Sequence, residues 1–222
     1  MLESYFAPID NYCERLGPEF WAEPLNAVTN GIFLVTAFLA LRLARSRAPG
    51  VTFQAGTLIA MVAVIGVGSF LFHTLAVYWA MLADVIPISI YQILFLIFYC
   101  RTVVGLPAVQ VVGYLVAFFV TSVAFGMLPH HWLNGSLSYG PALVFIAGMG
   151  IYHWRTHKRE PFALLLAAGF FALSLTFRSL DMQLCDRWSI GTHLVWHLLN
   201  GVVLYLTTRG FVVNLEPNRI SR

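Results

Sequence analysis

The chain has 222 residues, of which 59% are hydrophobic and only 10% charged. Soluble domains carry about 25% charged residues, so the composition excludes an ordinary soluble domain and points to a membrane protein. The net charge is only +3, and three cysteines (Cys13, Cys100, Cys185) are too few for a disulfide-framed scaffold, though they allow one bridge and one buried thiol.

Residues 1–23 read as an extracytoplasmic interfacial segment, with Glu3, Asp10, Glu14, Glu19 and Glu23 beside the aromatic pair Phe20 and Trp21. They lack the positive n-region and apolar h-region of a secretory signal, so the first span is expected to act as its own insertion signal. A helix of about 20 residues crosses the hydrocarbon. Span one is the uncharged run Pro24–Leu41, which ends at Arg42, Arg45 and Arg47. From Val51 to Ala83 no formal charge occurs, which predicts a second span, a turn near Val77-Tyr78-Trp79, and a third span stopping at Cys100 before Arg101. The uncharged stretch Val103–Trp154 is broken into spans four and five by Pro129-His130-His131-Trp132-Leu133-Asn134-Gly135. After a loop holding Arg155, His157, Lys158, Arg159 and Glu160, span six runs over Pro161–Phe177 and span seven over Ile190–Thr208. The expected fold is all-α: a seven-transmembrane helix bundle over 24–208 with a short cytoplasmic tail, 209–222.

Seven crossings put the termini on opposite faces. Arg42, Arg45, Arg47, Arg101, Arg155, Lys158, Arg159, Arg209, Arg219 and Arg222 all fall on the C-terminal face, which is 10 of the 13 Lys and Arg residues. By the positive-inside rule the C-terminus is cytoplasmic and the N-terminus outside.

Ionisable side chains inside spans are costly and mark function. His193 and His197 lie four residues apart, so both rings fall on one face of a helix, a spacing that a metal ion can bridge. Ser69 and His73 repeat that spacing upstream, and Asp84 follows. The topology puts all five at similar depth on the outer side. Three imidazoles with an open position resemble a hydrolytic zinc site, in which zinc-bound water attacks. No acid stands between the two histidines of the pair, where Leu194 takes the place of the glutamate in a His-Glu-x-x-His motif. Asp84 is then the available group to orient that water and take its proton, or to support an imidazole, and Ser69 can donate to a developing oxyanion. His130 and His131 fall in an outer loop, while His153 and His157 are expected to be interfacial at the basic end of span five. Tyr91, Gln92 and Trp196 are expected to pack. Gly66, Gly68, Gly148 and Gly150 are expected to permit close helix contacts. The acids Asp10, Glu14, Glu19 and Glu23, with Asn26, are hard oxygen donors of the kind calcium takes. Cys13 and Cys185 share the outer face, where an oxidising compartment permits a bridge.

Taken together, Asp10-Asn11-Tyr12-Cys13-Glu14, Glu23-Pro24-Leu25-Asn26-Ala27-Val28-Thr29-Asn30, Ser69-x-x-x-His73 with Asp84, Asp181-x-x-x-Cys185 and His193-x-x-x-His197 resemble the alkaline ceramidase family. Its wider superfamily includes the adiponectin-receptor-like and haemolysin-III-like proteins. The resemblance implies a zinc amidohydrolase of sphingolipid metabolism that cleaves the N-acyl bond of ceramide or a related N-acylated lipid and releases a fatty acid. It implies zinc on His73, His193 and His197, with Ser69 and Asp84 serving catalysis. It also implies a calcium site from Asn11, Tyr12, Glu14 and Glu23, although a further ligand position falls on Leu16, and a Cys13–Cys185 bridge. The compact length suggests a bacterial member in the inner membrane, with its site towards the periplasm. The expected partners are the bilayer and a membrane lipid substrate, with no nucleic acid; oligomeric state is not indicated. The alternatives are a receptor or signalling protein of the same superfamily with structural zinc, against which the short cytoplasmic loops count, and a transporter using Asp84 and the histidines as a proton relay.

Overall fold

The computed structural model describes residues 5–129 and 131–215. Glu3, His130, Arg219 and Arg222 lie outside the described residues, as does most of the predicted tail. The helices in chain order are α1 (Pro24–Thr29), α2 (Gly31–Arg45), α3 (Phe53–Leu75), α4 (Tyr78–Phe98), α5 (Ala108–Gly126), α6 (Gly140–Arg155), α7 (Ala163–Leu180) and α8 (His193–Val212). A π-helical turn (Tyr99–Val104) extends α4, and a 3₁₀ segment (Trp132–Tyr139) precedes α6. Among the described residues there is no β-strand, only an isolated antiparallel bridge between Pro8 and Val77.

Local chemistry sets these limits. Thr52 caps α3, its hydroxyl accepting from the Ala55 amide. Pro24 opens α1 and Pro107 precedes α5, positions where the missing N–H costs nothing. Ala76 adopts a left-handed conformation (φ 44°) and ends α3, so the turn falls where the uncharged stretch predicts it.

Among the described residues six helical segments are long and apolar enough to cross a membrane: Pro24–Arg45, Phe53–Leu75, Tyr78–Val104, Ala108–Gly126, Trp132–Arg155 and Ala163–Leu180. The seventh long helix, α8, has 20 residues, or about 30 Å at 1.5 Å per residue, enough to span. Its sequence is less apolar because it carries His193, His197, Asn200, Thr207, Thr208 and Arg209.

The packing has the pattern expected in lipid. Small side chains fill the interior of the bundle, among them Ala37, Ala40, Ala44, Ala55 and Ala167, while Phe38, Val67, Val116, Val120 and Val123 point outward. A Cβ on Gly66 would stand 2.9 Å from the Phe33 Cβ, and one on Gly150 would stand 2.9 Å from the Leu165 nitrogen. A Cβ on Gly148 would meet nothing within 4 Å, so no close helix contact requires a glycine there, contrary to expectation.

At the basic end of the bundle Arg209 grips both oxygens of Glu160, at 2.7 and 2.6 Å. His153 is not interfacial there. It is wholly buried, with Nδ1 2.6 Å from the Tyr99 hydroxyl and Nε2 3.0 Å from the Arg159 carbonyl, because the π-helical turn places Tyr99 beneath it.

At the opposite end the N-terminal segment is tied down over the bundle. Ile9 donates to the Ala76 carbonyl and Tyr78 to the Ala7 carbonyl, pinning the segment to the α3–α4 turn. Cys13 and Cys185 are disulfide-bonded, with Cα atoms 5.3 Å apart across 172 residues of sequence. Asp181, fully buried, accepts from the Cys13 amide on one oxygen and from the Thr192 and His193 amides on the other. It thus caps α8 from outside the helix. Gly191 (φ 64°) lies against Asp181 and Cys13, where any side chain would collide. These contacts explain why the helix starts at His193 rather than at Ile190.

Candidate metal centre

His73 sits in the last turn of α3, and His193 and His197 in the first turns of α8, so two helix ends of opposite sense deliver three imidazoles to one point. All three rings are buried. The ring centroids stand 5.1 Å (His73–His193), 4.7 Å (His73–His197) and 4.6 Å (His193–His197) apart. One nitrogen from each falls within 4.8 Å of the other two.

The hydrogen bonding assigns the tautomers. His73 Nδ1 lies 2.6 Å from Glu23 Oε2, and a carboxylate can only accept, so Nδ1 carries the proton. His197 Nδ1 lies 2.9 Å from the Thr29 hydroxyl, whose single hydrogen is directed to the Leu25 and Asn26 carbonyls. That oxygen therefore accepts from His197 as well. The Nε2 lone pairs of His73 and His197 are left buried with no partner, and so is Nδ1 of His193. An unsatisfied buried polar atom costs about 1–3 kcal/mol, and three together are the donor set a zinc ion would satisfy. The residues fit that metal. His193 is held from both sides: its amide bonds Asp181 at 2.9 Å, and the Tyr12 ring stacks on its imidazole at 3.8 Å.

Ser69 and Asp84 are buried beside the triad. They meet because α3 and α4 touch backbone to backbone at Gly68. A Cβ there would overlap the Ala83 carbonyl and stand 3.2 Å from the Asp84 nitrogen. Both residues line a cavity of about 170 Å³ with His193 and His197. The cavity runs inward past Phe95, Met149 and Leu204 to Thr207. Thr207 is fourteen residues beyond His193 on α8, so the cavity follows about 21 Å of that helix. Tyr91, Gln92 and Trp196, expected only to pack, also line it. So does Arg178, whose guanidinium lies 5.5 Å from the Tyr139 ring centre and 5.8 Å from that of Trp196 and donates to the Asn134 carbonyl at 2.5 Å.

The two anionic side chains among the expected calcium ligands are engaged by hydrogen bonds within the protein. Glu14 turns both oxygens to the start of α1, accepting from the Leu25 and Asn26 amides at 2.7 and 2.8 Å. Glu23 is taken by Arg15 (2.5 Å), His73 and the Asn26 amide group (3.1 Å). The Tyr12 ring faces His193, and its carbonyl accepts from the Arg15 amide at 3.2 Å. Asn11 is exposed at the cavity wall, and Leu16 is exposed. Burial pushes the Glu14 carboxyl up, against the two amides it accepts from. Burial would do the same to Glu23, but hydrogen bonds from His73 and Arg15 override it and hold that carboxyl below its ordinary range. Burial likewise raises the Tyr12 phenol, with the Arg178 guanidinium opposing.

Four supporting residues have roles that the sequence does not announce. Thr29 and Asp181 stand inside the motifs that carry the family resemblance, so their positions are visible in the sequence but their partners are not. Arg15 and Arg178 carried a weaker signal: each is one of the few cations on the acidic side of the chain.

A family model described as Ceramidase matches residues 9–214, which includes the three histidines, Ser69, Asp84 and both bridged cysteines. No curated protein shows a significant match.

Proposed function

The chain belongs to the ceramidase family, and on that premise we propose that it is a zinc-dependent membrane amidohydrolase. It cleaves the N-acyl bond of ceramide or a related N-acylated lipid and releases a fatty acid. The observation that carries this reading is the set of three buried imidazole nitrogens, unpaired and convergent, two of whose residues, His193 and His197, line an elongated apolar cavity. A structural metal would have no need of such a cavity.

His73, His193 and His197 would hold the zinc, which when bound supplies a Lewis acid that lowers the pKa of water towards about 7 and polarises the amide carbonyl. The remaining steps belong to the chain. The apolar trunk from Phe95 to Leu204 takes the acyl chain and excludes water from it. Asp84 accepts the proton of the attacking water and returns it to the leaving amine, as a positioned carboxylate can. Ser69 donates a hydrogen bond to the carbonyl oxygen as charge builds there. Glu23 and Thr29 hold two of the imidazoles in the tautomer that leaves Nε2 free.

With α8 counted as a crossing, the bundle has seven spans, the acidic N-terminal segment lies outside and the basic end faces the cytoplasm. The reaction then takes place in the outer leaflet, which in a bacterial inner membrane is the periplasmic side. The test is fatty-acid release from a panel of N-acyl lipids that includes ceramide, together with metal analysis, on the wild-type chain and on His197→Ala. Wild type is expected to carry one zinc and turn over, and the variant to lose both. A zinc-loaded wild type that hydrolyses none of the panel would refute the assignment.

A further inference from the structure

We propose that Arg15 is a positioning residue whose guanidinium is the built-in cation of the N-terminal acidic cluster, fixing His73 where a divalent ion would otherwise be needed. The proposal rests on the reading of the three histidines as a metal site. Arg15 is buried (7% exposed), as are Tyr12, Cys13, Glu14 and Glu23 of the same segment. Its three nitrogens donate in three directions: Nε to Glu23 Oε1 at 2.5 Å, Nη1 to the Gly17 carbonyl at 3.0 Å and Nη2 to the His73 carbonyl at 3.1 Å. Glu23 in turn holds the His73 ring. One planar fork thus grips His73 twice, directly at its main chain and through Glu23 at its imidazole. A lysine, with a single nitrogen, could not span these acceptors.

The same contacts leave no place for calcium. Calcium takes six to eight oxygens at about 2.3–2.6 Å. Of the four expected calcium ligands only Glu14 and Glu23 are anionic, and all four of their carboxylate oxygens already accept hydrogen bonds. A calcium ion on Glu23 would meet the Arg15 charge at contact distance with no water between them, a strongly repulsive arrangement. The buried unpaired oxygens on α1 and at its end, Asn26 Oδ1 and Asn30 Oδ1, are neutral and bring no charge to offset it.

The experiment uses the full chain in detergent with two titrations that need no turnover: zinc affinity by competition with a chromophoric chelator, and calcium binding by calorimetry with thermal unfolding alongside. For wild type we expect no calcium heat and no change in Tm with calcium or with a calcium chelator. Arg15→Gln is expected to bind zinc about 10- to 100-fold more weakly, the range for loss of a group that orients a ligand. Arg15→Lys keeps the charge, guards against a glutamine variant that fails to fold, and is expected to fall between the two. Arg209→Gln, which breaks the ion pair at the far end of the bundle, is expected to lower Tm with zinc affinity unchanged, separating positioning from general stability. Stoichiometric calcium binding that raises the wild-type Tm would overturn the proposal. So would wild-type zinc affinity in either Arg15 variant. Failure of the metal reading itself shows separately, as a wild-type chain that binds no zinc, and the calcium titration still tests Arg15.

Discussion

A metal-binding imidazole must present a lone pair, so the group on its other nitrogen decides whether it can serve. For His197 that group is the Thr29 hydroxyl, 2.9 Å away. Thr29→Val keeps the shape and removes the acceptor, and zinc affinity is expected to fall about 10- to 100-fold. Chelator competition measures this, and an unchanged value would reject the tautomer derived for His197. Asp84→Asn keeps the volume and removes the proposed base. Turnover is expected to drop about 10²- to 10⁴-fold with the zinc content of the purified protein intact; parallel loss of zinc would make Asp84 a ligand instead. At this scale the sequence was most informative about the groups proposed to do the chemistry. Spacing alone paired His193 with His197. Nothing in the spacing could show that Thr29, 168 residues before His197, is its partner, because a hydrogen bond between distant segments leaves no periodicity behind.

Two junctions between elements hold the constellation together. At Gly68 the backbones of α3 and α4 touch. Gly68→Ala must push the helices apart, as overpacking does, at about 1–3 kcal/mol. Ser69 and Asp84 stand on either side of that contact, so turnover is expected to fall further than zinc affinity, as steady-state kinetics beside the chelator titration would show; equal losses would mean a general loosening of the bundle. The second junction is Asp181 with the disulfide. Replacing the carboxylate by the amide in Asp181→Asn leaves acceptor capacity short for three main-chain donors. The expected cost is about 1–3 kcal/mol, read as a lower Tm, and a Tm within error of wild type would deny Asp181 its capping role. The element boundaries followed from turn chemistry at Ala76 and from the uncharged stretches. They slipped at α8, because the residue that starts that helix lies in the previous loop. His153 slipped for a related reason: the π-helical turn that brings Tyr99 to it has no signature in local composition.

For the molecule as a whole, the strongest constraint is that apolar side chains face outward and charges gather at the two ends. The topology predicts that a C-terminal reporter fusion is active only if it functions in the cytoplasm, and that a probe unable to cross the membrane reacts with an N-terminal cysteine introduced at Ser4 in intact cells. Activity of a C-terminal reporter that requires export would reverse the orientation. The sequence by itself determined the class of the protein, since an uncharged run about 20 residues long has few stable environments other than a bilayer. It also determined the orientation proposed for the chain, through the uneven placement of arginine, and the side chains proposed to react, through helical spacing and resemblance to a family. Only the tertiary structure decided which nitrogen of two of the histidines is free, which hydroxyl and carboxylate hold those rings, and that a guanidinium occupies the acidic cluster. Those are matters of distance between segments far apart in the chain. Composition and period describe one segment at a time, whereas hydrogen bonds and charge repulsion act over a few ångströms of space without regard to separation in sequence.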